Sequence, residues 1–284
     1  MSAGMVCFVT NDTLVKFVSD TLPASQLIFL RGLMAVLGLL VLAYFTDRAS
    51  FSRIGLAHLS HRWVVLRSVL DGAASLVYLS ALFHMPLGNA TAINMSTPLL
   101  IALLSGLLLG VHVSGRHWLI IGLGFIGVLL VVQPQADGFN AWAWVALAGT
   151  VLHALRDLSV RFIAPQIPSM VITVSTALAA TVLAGAWSLF TPWHVVSLKH
   201  GLMMAAAALF LSSGYFFLIK ATRIADMSVV APFRYVGLLT AVLFGYLIWG
   251  DMPNPLAWCG MLLLVGAGLL MLRLNRQPAY LAEN

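Results

Sequence analysis

Charge is scarce in this chain. Asp, Glu, Lys and Arg make up 8% of its 284 residues, where a soluble domain carries about a quarter. Cysteine is nearly absent too. Cys7 and Cys259 are the only two, too few and too far apart for a disulfide framework or a CxxC site, and both are expected to be inert core residues. The sequence contains no HExxH, GxSxG, Walker loop or DDxxD stretch, so metalloprotease, serine hydrolase and self-contained ATPase chemistry have no carrier. His58 and His61 sit in a basic stretch without further ligands, and no metal site is expected there. No cofactor is expected either.

What is abundant is apolar sequence. Hydrophobic residues reach 61% and the mean hydropathy is +0.99. Crossing roughly 30 Å of hydrocarbon takes about 20 apolar residues in a helix. Cut at polar, Pro and Gly junctions, the chain gives ten such runs: 2–19, 23–46, 63–84, 87–110, 116–133, 139–164, 168–190, 197–221, 225–249 and 255–273. The expected fold is an all-α membrane protein of ten transmembrane helices. A β-barrel would need short alternating segments, which are missing. The first run reads as a span rather than a leader, because Asp12 and Lys16 interrupt it.

The formal charge of +6 follows topology. With the N-terminus inside, Arg48, Arg53, Arg62, Arg116, Arg161, Lys220, Arg223, Arg273 and Arg276 fall on the inner side, and Lys16 and Lys199 on the outer side. That bias places both termini in the cytoplasm and calls for no nucleic-acid partner.

NDTLVKF (11–17) and RDLSVRF (156–162) align at an offset of 145, with Asp12 on Asp157 and Lys16 on Arg161. Pro23/Pro168, Ala35/Ala180 and Phe45/Phe190 share that offset. Ala81/Ala221, Gly110/Gly250 and Trp118/Trp258 share one of 140. The expected organisation is two five-helix repeats, residues 1–134 and 135–273, followed by a cytoplasmic tail, 274–284. Five is odd, so the second repeat is inverted, as in many secondary transporters.

PLGNATAINMSTPLLIALLSGLLLG (86–110), the WLIIGLGFIGVLLVV span after it, ADMSVVAPFRYVGLLTAVLFGYLIWGD (225–251) and FLRG (29–32) resemble the drug/metabolite transporter superfamily in its ten-helix EamA-type family. Within it, NDTLVKF and the opening of span 2 are similar to riboflavin transporters. The resemblance covers essentially the whole chain. It departs from the pattern after span 4, where His112 stands in place of the acidic residue seen as Asp251 after span 9. It implies a multi-pass protein of a bacterial cytoplasmic (inner) membrane, working on a small-molecule substrate within the lipid bilayer.

Charge inside a span is costly and marks function or a buried partner. Arg234 lies near the centre of run 225–249, and its repeat partner is Asn94. Pro232 and Pro98 beside them withdraw a helical donor from the Ser228 and Asn94 carbonyls, so helix breaks are expected there. Arg234, Asn94, Tyr235, Phe233, Tyr78 and Arg31 are the candidates for substrate contact. Arg31 is expected to pair with Asp12, joined by Lys16. Asp12, Lys16, His153, Asp157 and Arg161 are candidates for coupling or gating; helix anchoring is the alternative role for the heptads. His153, Asp157 and Arg161 are expected to share one helix face, and Arg67 to pair with Asp71. Of the other aromatics, Phe29, Tyr215, Phe216 and Phe217 are expected near the cavity, and Trp142 and Trp144 in an outer interfacial belt.

The function expected is secondary transport by alternating access, with riboflavin uptake as the specific case and amino-acid or metabolite export as the alternative. The other classes are a membrane enzyme built on His153 and Asp157, and a membrane scaffold. Gly106–Gly110 and Gly122, Gly124 and Gly127 permit close helix packing and leave a homo-oligomer open.

Overall fold

A computed structural model describes residues 1–46, 58–110, 114–133, 141–224 and 231–275. Arg48, Arg53, His112, Ser228, Arg276 and the end of the tail lie outside the described residues, as do the side chains of Arg223 and Pro232. With no water in hydrocarbon to satisfy the backbone, a spanning segment must bond within itself, and the described residues accordingly form helices and no strand. The helices are α1 (Ser2–Val18), α2 (Ala24–Thr46), α3 (Arg62–Leu82), α4 (Leu87–Asn94), α5 (Thr97–Leu109), α6 (Gly115–Val132), α7 (Trp142–Ser159), α8 (Ser169–Ser188), α9 (Leu198–Ile224), α10 (Val236–Trp249) and α11 (Pro255–Asn275). Three 3-10 turns join them, at His58–Ser60, Val160–Phe162 and Ala231–Tyr235.

Seven segments are long and apolar enough to cross a membrane, with α4 and α5 forming one of them, and Phe233–Trp249 is a shorter apolar helix. Three of the ten expected spans fall short of that measure, the run 225–249 among them. α1 stops at 17 residues, and the apolar run of α7 is broken by His153, Arg156 and Asp157.

Contacts fix the direction of each helix. Gly4 of α1 lies against Gly214 and Leu218 of α9, while Thr21 beyond the other end of α1 meets His200 near the start of α9. The two therefore run antiparallel. Ser68 bonds Ser175 and Gly72 lies on Ala180, so α3 and α8 run parallel. Asp71 meets Arg156 and His84 stacks on Trp142, which makes α3 and α7 antiparallel. One face of the bundle thus holds the ends of α1 and α3 and the starts of α7 and α9. The opposite face holds the N-terminus.

The outward surface is apolar. Leu119 is 71% exposed and Leu262 68%, on a scale that a soluble protein avoids and a bilayer requires. Neither cysteine is a core residue as expected: Cys7 is half-buried and Cys259 is exposed, because position 259 falls on the outer side of α11.

Small residues bring α6 and α11 into backbone contact. A Cβ at Gly127 would sit 2.8 Å from the Gly260 oxygen, and one at Gly260 would sit 2.6 Å from the Gly127 oxygen. Gly122 meets nothing among the described residues, and Gly110 serves as a left-handed helix cap rather than in packing. Gly260→Val is expected to cost about 1–3 kcal/mol through overpacking, read as a lower melting temperature of the purified protein. Gly122→Val is expected to leave that temperature unchanged.

Candidate functional site

A cavity of about 740 Å³ occupies the centre of the bundle, within the 300–1,000 Å³ typical of sites for small organic ligands. Its wall carries Asp12, Arg31, Asp71, Tyr78, Asn94, Pro98, His153, Arg156, Arg161, Tyr215, Arg234 and Tyr235.

The first polar group joins α1 to α2. Arg31 Nη1 donates to Asn11 Oδ1 at 3.2 Å, and Asn11 Nδ2 donates to Asp12 Oδ1 at 2.9 Å. Asn11 thus stands between the two charges expected to pair directly. Lys16 is not part of this group. Its ammonium turns to the carbonyl end of α3, donating to the Leu82 oxygen at 2.9 Å and to the Met85 oxygen. Those carbonyls lie past the last intrahelical donor, so a cation there satisfies them and meets the negative end of the helix dipole.

The second group joins α3 to α7. The Arg156 guanidinium contacts Asp71 and lies 2.9 Å from Asp157 Oδ1. The expected Arg67–Asp71 pair is replaced, because antiparallel packing aims Arg156 straight at Asp71. Arg67 instead donates to Thr176 Oγ1 at 2.9 Å. Asp157 is held on Arg156 and is not on the cavity wall.

The third group sits where α4 breaks. His153 Nδ1 lies 3.0 Å from Asn94 Oδ1, and its ring is 5.8 Å from that of Tyr78. α4 ends at Asn94 and α5 resumes at Thr97. Pro98 has no N–H to offer the Asn94 carbonyl, and Thr97 Oγ1 fills that role at 2.6 Å. Arg234 lies in the 3-10 turn Ala231–Tyr235, immediately before α10, rather than inside a continuous helix. It has no hydrogen-bond or ion-pair partner among the described residues. His153, Asp157 and Arg161 do not act as one helix face: the first two have separate partners, and Arg161 lies past the end of α7 in an exposed turn.

Of the aromatic candidates, Tyr78, Tyr215 and Tyr235 line the cavity. Phe233 is half exposed and off the cavity wall. Phe29 packs edge-on against Trp193, and Phe216 and Phe217 pack on each other. Two buried polar atoms of the wall have no hydrogen-bond partner among the described residues: Arg31 Nε and Ser105 Oγ. Such groups are costly unless something polar enters the space they face. Sequence reasoning missed the Asp71–Arg156 bond, Asn11 and Thr91. The available signal for the first was two opposite charges inside separate apolar runs.

The profile of the EamA-like transporter family matches residues 1–133 and again 140–273. A pseudopaline exporter of Pseudomonas aeruginosa is 28% identical over 276 residues, covering 95% of this chain and 93% of that one. A riboflavin transporter of Rhizobium johnstonii is 27% identical over 234 residues, 80% of this chain and 78% of that one. An S-adenosylmethionine uptake transporter of Rickettsia felis is 24% identical over 276 residues, 95% and 90% of the two chains. A solved crystal structure covering 97% of both chains shares the fold with a TM-score of 0.61 at 20% identity. A charged cavity in an apolar helical bundle, and a family profile matching almost every residue, lead to one conclusion: this multi-pass membrane protein belongs to the EamA-like transporter family.

Proposed function

We propose that this transporter is a secondary carrier of a small organic metabolite with a flat apolar body and an anionic or strongly accepting group, riboflavin being the specific case. Arg234 carries the reading. It is a cation on the cavity wall without an ion-pair partner among the described residues, on the same wall as the Asn94–His153 pair. A guanidinium in low dielectric favours a carboxylate, imide or phosphate, and Tyr78, Tyr215 and Tyr235 offer ring faces and edges to a planar body.

Ten spans in two inverted repeats make the cavity two-faced, with both termini in the cytoplasm. The packing supports this organisation. Exchanging the repeats turns the contact of α3 with α7 into that of α9 with α1, and the contact of α3 with α8 into that of α9 with α2; all four occur. Gly110 and Gly250, 140 positions apart, both end their helices in the left-handed conformation, at φ of 63° and 72°.

Export is the second reading. It is favoured by the pseudopaline exporter, which matches more of this chain than the riboflavin transporter does.

The test is labelled riboflavin uptake in a bacterial strain unable to make riboflavin. Wild-type protein is expected to give saturable uptake. No uptake from protein verified in the membrane would overturn riboflavin import and favour export. Asp12→Asn is expected to keep riboflavin binding and lose the protonophore-sensitive part of uptake. If that sensitivity survives, Asp12 anchors its helix and does not couple.

A further inference from the structure

The cavity is lopsided. Towards the N-terminal face its wall reaches Met5 at the start of α1, His117 at the start of α6, Arg161 past the end of α7 and Leu272 near the end of α11. Towards the opposite face it stops at Asp12 and Leu79. Just beyond that limit is Lys16, one turn past Asp12 and only 8% exposed. Its ammonium ties three helices together. It is rooted in α1, donates to the Leu82 and Met85 carbonyls at the end of α3, and lies 5.4 Å from the Trp249 ring at the end of α10. Two carbonyls and an aromatic face are a favourable seat for a desolvated ammonium.

Arg161 is the counterpart of Lys16 at the offset of 145, and its situation is the reverse. It is exposed, it stands at the cavity wall, and among the described residues it has no hydrogen bond or ion pair. One member of the pair is seated and the other is free, on the two opposite faces of one cavity.

We propose that Lys16 and Arg161 are the two latches of this carrier and that the structure shows it open to the N-terminal face. Seating Lys16 on the end of α3 closes the far face. In the alternate state Lys16 leaves, the far face opens, and Arg161 seats on the carbonyl end of α9, the repeat counterpart of α3, to close the near one. A cation on backbone carbonyls suits this task, since the carbonyls are a fixed acceptor that neither protonates nor pairs elsewhere. The inference rests on the two-repeat reading above; it does not depend on which metabolite is carried.

Its test therefore needs no substrate. In a carrier with Cys7→Ser and Cys259→Ser, a single Ser75→Cys on the cavity wall is labelled by a membrane-impermeant thiol reagent, in sealed vesicles of each orientation. Labelling is expected to be fast from the N-terminal face and slow from the Lys16 face. Lys16→Met is expected to raise the slow rate by about tenfold or more, and Lys16→Arg to restore it. Trp249→Leu keeps the ammonium on its carbonyls and is expected to give a smaller rise, so it decides the matter if Lys16→Met fails to insert. Adding Arg161→Met to Lys16→Met is expected to lower the rate again, because the alternate state loses its own latch. Unchanged rates in both Lys16→Met and Trp249→Leu would overturn the proposal. Fast labelling from the wrong membrane side, with the Lys16 effect intact, would overturn the cytoplasmic termini and leave the latch standing.

Discussion

Arg234→Ala is expected to abolish measurable transport while the protein still inserts and melts like wild type. Truncating one partner of a desolvated, hydrogen-bonded charge pair costs about 2–5 kcal/mol, or roughly thirtyfold to several thousandfold in affinity. The structural argument for so large an effect is the absence of an internal partner. Arg156 holds two carboxylates and Arg31 donates to Asn11, so both already have partners within the protein. Arg234 has no such partner among the described residues, and removing it strands no carboxylate. The direct measurement is ligand binding to purified protein, beside uptake in cells. Arg234→Lys is expected to recover part of the loss, since the ammonium keeps the charge but not the fork of donors that grips a planar acceptor. Unaltered binding by Arg234→Ala would remove this residue from the site and with it the preference for an anionic or accepting substrate group.

The second large effect concerns stability. Arg156→Ala is expected to destabilise the protein by about 3–5 kcal/mol, because breaking a buried pair leaves an uncompensated charge behind. Here two are left. The Asp71 side chain is only 4% exposed, whereas that of Asp157 is 25% exposed and more readily hydrated. Asp71→Asn should therefore cost much more than Asp157→Asn, even though both acids touch the same guanidinium. Thermal unfolding in detergent reads the difference. Combining Asp71→Asn with Arg156→Gln is expected to recover a substantial part of the loss, since a pair of neutral amides can satisfy each other where a lone charge cannot. Equal losses for the two acids would mean that Arg156 is anchored mainly by Asp157, within its own helix.

Much of the architecture could be read from hydropathy alone, because the bilayer leaves a chain few ways to satisfy its backbone. Runs of apolar residues became helices, and the break after Asn94 falls beside the proline that withdraws a donor. Partner choice was less legible. Lys16 and Asp12 are close in sequence and share a helix, yet the ammonium prefers the carbonyl end of α3, whose position depends on how α1 and α3 come together. Arg67 and Asp71 have ideal spacing for a pair within one helix, and Arg156 on a facing helix displaces that pair. Spacing along a helix states which contacts are available. Which of them forms is settled by the helices packed alongside, and that information is spread over the whole chain. The hydroxyl of Thr97 on the Asn94 carbonyl is a local exception, since the proline that creates the vacancy is its immediate neighbour.

The bond between Asp71 and Arg156 has a consequence for how the protein is made. The two residues are 85 positions apart, and ribosomes add about 5–20 residues per second. Asp71 is therefore synthesised roughly 4 to 17 seconds before the only cation that contacts it among the described residues. During that interval the nascent first half carries a carboxylate without its native partner in a segment destined for lipid, with Arg67 one turn earlier as the cation at hand, a state suited to retention by the insertion machinery or by membrane chaperones. Release becomes favourable once α7 arrives and neutralises it. The timing of biogenesis is written into the sequence distance between one acid and one base.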